Sequence, residues 1–154
     1  MTTLSMSKIR AVVVVAAFAI ASVSQALHAQ GPTKLGTATV PFAFQAGTAH
    51  FVPGAYSIST PTDDLLLIRG ASKSAVAMTM RNVGGERSTV SQLVFRRYGN
   101  RYFLREVWTE GSIDHLSCPE SKAEREAEGS QLAAHNASIA THTDVEIAFL
   151  ESPR

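Results

Sequence analysis

Val90-Ser91-Gln92-Leu93-Val94-Phe95-Arg96-Arg97-Tyr98-Gly99-Asn100-Arg101-Tyr102-Phe103-Leu104-Arg105-Glu106-Val107-Trp108-Thr109 reads as two strands about a turn. Side chains alternate on both sides of Gly99-Asn100, and glycine first in a two-residue loop suits a tight hairpin turn. That turn pairs Tyr98 with Arg101, Arg97 with Tyr102, Phe95 with Leu104 and Leu93 with Glu106. One face then holds Leu93, Phe95, Tyr102, Leu104 and Trp108, with Arg97 and Glu106, and is expected to be core. The other holds Val94, Arg96, Tyr98, Arg101, Phe103, Arg105 and Val107, three arginines with no acid. On this reading Glu106 lies diagonal to Arg97, as a structural ion pair.

Upstream of the hairpin, short apolar runs alternate with turn residues, as in antiparallel β structure. Thr37–Gln45 alternates, with Val40, Phe42 and Phe44 on one face, and Pro41 demotes it to an edge or a bulge. Ala49–Val52 and Ala55–Ser59 flank Pro53-Gly54, which reads as a turn with positive φ at the glycine. Leu65–Arg69 is a continuous apolar run after Asp63-Asp64. Ala75–Met80 places Val76, Met78 and Met80 on one side, and 82–85 is the next turn. Downstream, Ile113–Ser117 is a short strand. Residues 119–128 are rich in helix formers, with a capping box from Ser117 or Ser121. Residues 129–143 are small and polar and read as a flexible tail, and Val145–Leu150 either belongs to that tail or returns as a last strand. The expected fold is all-β: an antiparallel sandwich or open barrel of six to eight short strands spanning 36–128, closed by a short helix.

The 154-residue chain opens with the three parts of a secretory signal. Lys8 and Arg10 precede the apolar stretch Ala11–Ala21, and Ser22, Ser24 and Gln25 lead to small residues suited to cleavage between Ala29 and Gln30. The apolar run breaks at serines after about a dozen residues, short of the roughly 20 a membrane-spanning helix needs. Residues 30–35 then form a flexible lead-in. The expected product is exported, periplasmic or extracellular, with no membrane span after cleavage. Of 14 lysines and arginines the signal takes two, leaving 12 against 13 acids. That near-neutral balance gives no global grip on nucleic acid. One cysteine, Cys118, excludes an internal disulfide and any multi-cysteine metal site. No phosphate-binding glycine loop is present, and no cofactor is expected.

Four segments occur in order: Val40-Pro41-Phe42-Ala43-Phe44, Pro53-Gly54-Ala55-Tyr56-Ser57-Ile58, the stretch from Leu93 to Leu104, and Ser121-Lys122-Ala123-Glu124-Arg125-Glu126. Together they resemble a family of small exported proteins from environmental bacteria for which no activity is established. The resemblance runs from Val40 to Glu126 and implies export without assigning functional residues. Members usually read L-P-K-S before the helix, where this chain has Cys118-Pro119-Glu120-Ser121. The Pro53-Gly54 turn is also similar to those of transthyretin-like and carbohydrate-binding sandwich modules.

The candidate binding residues are Arg96, Tyr98, Arg101, Phe103 and Arg105. Arginine forks grip carboxylate, phosphate or sulfate, and neighbouring aromatics add stacking. An envelope protein or an acidic polymer suits such a face. The same residues also fit a solvated sheet face whose arginine stems cover Phe103. Trp108 and Tyr102 would serve as a sugar platform if exposed, but their parity assigns them to the core. His115 and Cys118 have H-x-x-C spacing, too few ligands for zinc; His135 and His142 would need an ordered tail to share a metal. No nucleophile elbow occurs, and no catalytic or metal-binding residue is assigned. The leading reading is a non-enzymatic envelope or extracellular binding module. The alternative is a small secreted hydrolase whose loops bring together two of Glu106, Glu110, Asp114, His115 and His50.

Overall fold

A computed structural model describes residues 31–84, 86–135 and 142–153. The expected signal and its Ala29–Gln30 boundary lie outside the described residues. In chain order the elements are β1 (Thr33–Val40), β2 (Phe44–Ala46), β3 (Ala49–Phe51), β4 (Gly54–Thr62), β5 (Leu65–Arg69), β6 (Ser74–Met78), β7 (Met80–Val83), β8 (Gln92–Tyr98), β9 (Arg101–Trp108), β10 (Asp114–Ser117), α1 (Lys122–His135), β11 (Thr143–Ala148) and β12 (Leu150–Glu151). They build an all-β sandwich. One sheet runs β12-β1-β4-β5-β6, and the other runs β11-β8-β9-β10-β7 with the β2–β3 hairpin attached to β9.

Both sides of the sandwich are made by a strand that changes sheets. β6 becomes β7 across Thr79, and β11 becomes β12 across Phe149. Bends of this kind form the corners of orthogonally packed sheets. The corner amides keep partners: Thr79 N donates to Asp64 O (2.8 Å) and Phe149 N to Ser91 O (2.9 Å). Glu151 Oε1 accepts from the Ser91 hydroxyl and from the Glu110 amide, which ties β12 to the opposite sheet. Gly36 on β1 allows this closure. A Cβ there would lie 2.2 Å from Leu150 O and 2.6 Å from the Phe149 ring.

Between the sheets, Ala38, Val40, Tyr56, Ile58, Leu66 and Ile68 meet Leu93, Phe95, Leu104, Val107 and Leu116 in one buried cluster. At one end it is an aromatic lattice. Phe44 stacks on Phe51 (4.8 Å) and meets Tyr56 and Phe95 edge-on, while Phe42 stacks on Tyr102 (4.0 Å). Tyr56 donates its hydroxyl to Val52 O, which satisfies the one polar atom of that ring.

Several expectations are corrected. More strands are present than the six to eight expected, because three runs read as single strands are each broken in two: β1 from β2 around Pro41, β6 from β7 at Thr79 and β11 from β12 at Phe149. Pro41 falls in the break between β1 and β2, and β1 begins at Thr33, inside the expected lead-in. Pro53-Gly54 is no hairpin turn: β3 pairs with β2 and β4 with β1, so the chain changes sheets there, and Gly54 has no positive φ. Val76, Met78 and Met80 share a side as expected, but that side faces solvent while Ala77 and Thr79 are buried. The expected turn at 82–85 begins two residues later, because Asn82 and Val83 still pair with β10. Residues 129–135, read as tail, continue α1, and the last strand is formed.

Candidate functional site

The hairpin turns at Gly99-Asn100, with Gly99 at φ 61°, and pairs Tyr98 with Arg101, Arg97 with Tyr102 and Phe95 with Leu104 as expected. Beyond that the register slips. Val94 pairs with Glu106 and Leu93 with Val107, so Arg105 is an extra residue in a β-bulge. The bulge reverses the parity that follows. Val107 enters the core, while Trp108 turns outward, stacks on His115 (4.1 Å) and donates its indole N–H to Glu106 (2.8 Å). The expected ion pair of Glu106 with Arg97 does not form; Arg97 Nε donates to Gly99 O instead (2.7 Å). Tyr102 stays on the inner side, stacked on Phe42.

The face expected to be open is covered. Ser121 caps α1, its hydroxyl accepting from the Glu124 amide (3.1 Å). The helix lays Ala123 and Ala127 on Tyr98 and Phe103, burying both aromatics in a second, smaller cluster. It also brings an acid onto a face read as having none. Glu124 is 2 % exposed, and its Oε2 accepts from Arg105 Nη1 (3.3 Å) while Oε1 has no partner. Burial raises the Glu124 pKa above the ordinary glutamate range against the pull of Arg105. Tyr98 is also raised, by burial and then by Glu124, while a hydrogen bond from Arg96 opposes the shift. Cys118 is buried beside the same pair, and its thiol is pushed up to about 12 by desolvation. It is an inert thiol packed in the core.

Of the five expected binding residues, Tyr98 and Phe103 are therefore interior, Arg105 is bound to Glu124, and Arg96 serves the Tyr98 hydroxyl. Of the five, Arg101 alone is exposed with no carboxylate partner among the described residues. Its guanidinium lies over the Phe103 ring, 5.3 Å from the centroid.

Two recesses meet at Asn100-Arg101. The first, about 340 Å³, opens between the β2–β3 hairpin and the start of β9, and is lined by Phe44, Gln45, His50 and Phe51 besides these two residues. A single parallel pair, Gln45 with Phe103, sets that hairpin beside β9. No periodicity in the sequence announces this pairing, so nothing marked Gln45, and His50 was read only as a candidate hydrolase group and not as part of this recess. Gln45 is 6 % exposed and is held by a hydrogen bond from Nε2 to Gly47 O (2.9 Å). Lys73 Nζ donates to His50 O (2.9 Å) and lies over Phe51. The second recess, about 400 Å³, lies between the hairpin tip and α1, lined by Tyr98, Ala127, Ser130 and Ala134 among others.

Asp114 and His115 line one small recess, but no hydrogen bond or ion pair joins any two of Glu106, Glu110, Asp114, His115 and His50. Glu106 serves Trp108, and Asp114 is 3.9 Å from Arg81. His115 is stacked on Trp108, and His50 lies on β3 in a separate recess. Among the described residues no cluster of three or more His, Cys, Asp or Glu side chains could hold a metal ion, and the His135 side chain lies outside them. No described helix is long and apolar enough to cross a membrane. The chain matches no known family model, no curated protein and no solved structure.

Proposed function

We propose that the protein is an exported, non-enzymatic binding module of the envelope or extracellular space that holds an anionic polymer at the tip of the β8–β9 hairpin. One observation carries this reading: Arg101 is exposed, has no carboxylate partner among the described residues, and stands where two recesses meet. An unpaired arginine fork beside a concave wall is suited to a carboxylate or sulfate. Lys73 adds a second cation near the first recess. The secretory pattern of residues 1–29 and the resemblance to small exported proteins support the location.

The test is retention of the full chain on immobilised polygalacturonate, with dextran as the neutral control. Native protein should be retained on the acidic polymer and released by salt, and Arg101→Glu should elute with the dextran control. Equal retention of native and variant protein, or none of either, would overturn the reading.

A further inference from the structure

The two recesses at Arg101 differ in what they can recognise. In the larger, small side chains of α1 form one wall, and Glu128 acts electrostatically on Tyr98 from that helix. Glu128 is not itself in that lining, but its charge near Tyr98 disfavours an anion on that side of Arg101. None of the residues lining the smaller recess is an acid.

The smaller recess is also held in shape. The Phe44–Phe51 stack is locked into the aromatic lattice of the core. Gln45 is tied through Nε2 to Gly47 O, which leaves its Oε1 as an acceptor with no partner among the described residues. Asn100 follows Gly99 in a two-residue turn, and Arg101 is steadied over Phe103. One wall is apolar, and four polar side chains, Gln45, His50, Asn100 and Arg101, line the rest. A volume of about 340 Å³ is at the small end for ligand sites, fitting one ring and not an extended segment.

From this arrangement we infer that the recess between the β2–β3 hairpin and β9 is a subsite for one carboxylated sugar ring. This deepens the polymer-binding reading and rests on it. Arg101 takes the carboxylate. Gln45 and Asn100 exchange hydrogen bonds with ring hydroxyls, and the Phe44–Phe51 wall receives the ring's apolar face. Four polar groups favour a hydroxyl-bearing ring over a plain aromatic acid, which would leave most of them unpaired.

Backbone amide NMR of the full chain, titrated separately with glucuronate, glucose and benzoate, tests this. Glucuronate should shift the amides of Gln45, His50, Asn100 and Arg101, with glucose and benzoate weaker by about tenfold or more, as loss of a charge-assisted hydrogen bond or of the hydroxyl contacts implies. Arg101→Gln, checked for an unchanged unfolding midpoint, should abolish the glucuronate shifts. Benzoate or glucose binding as well as glucuronate would overturn the assignment. So would shifts confined to Tyr98, Ala127 and Ser130, or no shifts although polygalacturonate retains the protein; in these two cases the polymer-binding reading stands. Neither retention nor shifts would remove both.

Discussion

Glu124 is the residue at which stability and pH meet. A buried pair gains little net stability because desolvation offsets the attraction, yet removing one partner is costly. Arg105→Met strands the Glu124 carboxylate and should cost about 3 kcal/mol in denaturant unfolding. Glu124→Gln removes the charge with the volume kept and should cost less. The direction of the pH effect follows from the raised pKa. Between the ordinary glutamate value and the raised one, the folded protein holds a proton that the unfolded chain has released. Stability therefore falls as pH rises through that window. Urea unfolding midpoints across mildly acidic pH should show this fall in the native protein and a flatter profile in Glu124→Gln. Identical profiles would show that the carboxyl is not perturbed.

At the level of elements, the tightest constraint is Gly36 on β1. Its missing Cβ leaves room for the Leu150 carbonyl and the Phe149 ring, so Gly36→Ala must push backbone, not a flexible side-chain end. A loss of about 2 kcal/mol is expected, typical of overpacking. Gly31→Ala, in open space, serves as the control and should change nothing measurable. Turns and alternation made much of this level legible. The hairpin turn, the pairing of Phe95 with Leu104, the Leu65–Arg69 strand and the Ser121 cap all follow from local chemistry. The bulge at Arg105 does not, because either register satisfies alternation until the core chooses Val107 over Trp108. The cover of α1 over Tyr98 and Phe103 was hidden for a related reason. Ala123 and Ala127 are small enough to lie close on two aromatics, a contact set by packing between distant segments. Arg101 was legible as an arginine at the hairpin tip, where it is exposed; the recess beside it depends on one long-range strand pair and was not.

Across the whole molecule, the two sheets share their outermost strands, so neither can come apart while the other stays intact. The core side chains of both sheets lie in one cluster, with Phe149 at the second corner belonging to it. Unfolding should be a single transition. Trp108, the one tryptophan, reports on the β8–β9 sheet by fluorescence, whereas far-ultraviolet circular dichroism averages over both sheets. The two curves should coincide in urea. Separate midpoints would mean that the corners hinge and do not lock.

The corner at Phe149 also sets an order of assembly. β1 finds β4 early in synthesis, and β8 finds β9 as soon as the hairpin is made. The strand that closes both sheets, β11–β12, is the last described element to emerge from the ribosome. Until residue 151 is free, β8 and β1 each keep one edge unpaired, and Gly36 faces an empty place. Closure then joins residues more than a hundred positions apart, at Gly36 and Glu151. Long-range pairing of this kind is slow. Closing the sandwich therefore waits on the strands that come last in chain order among the described elements.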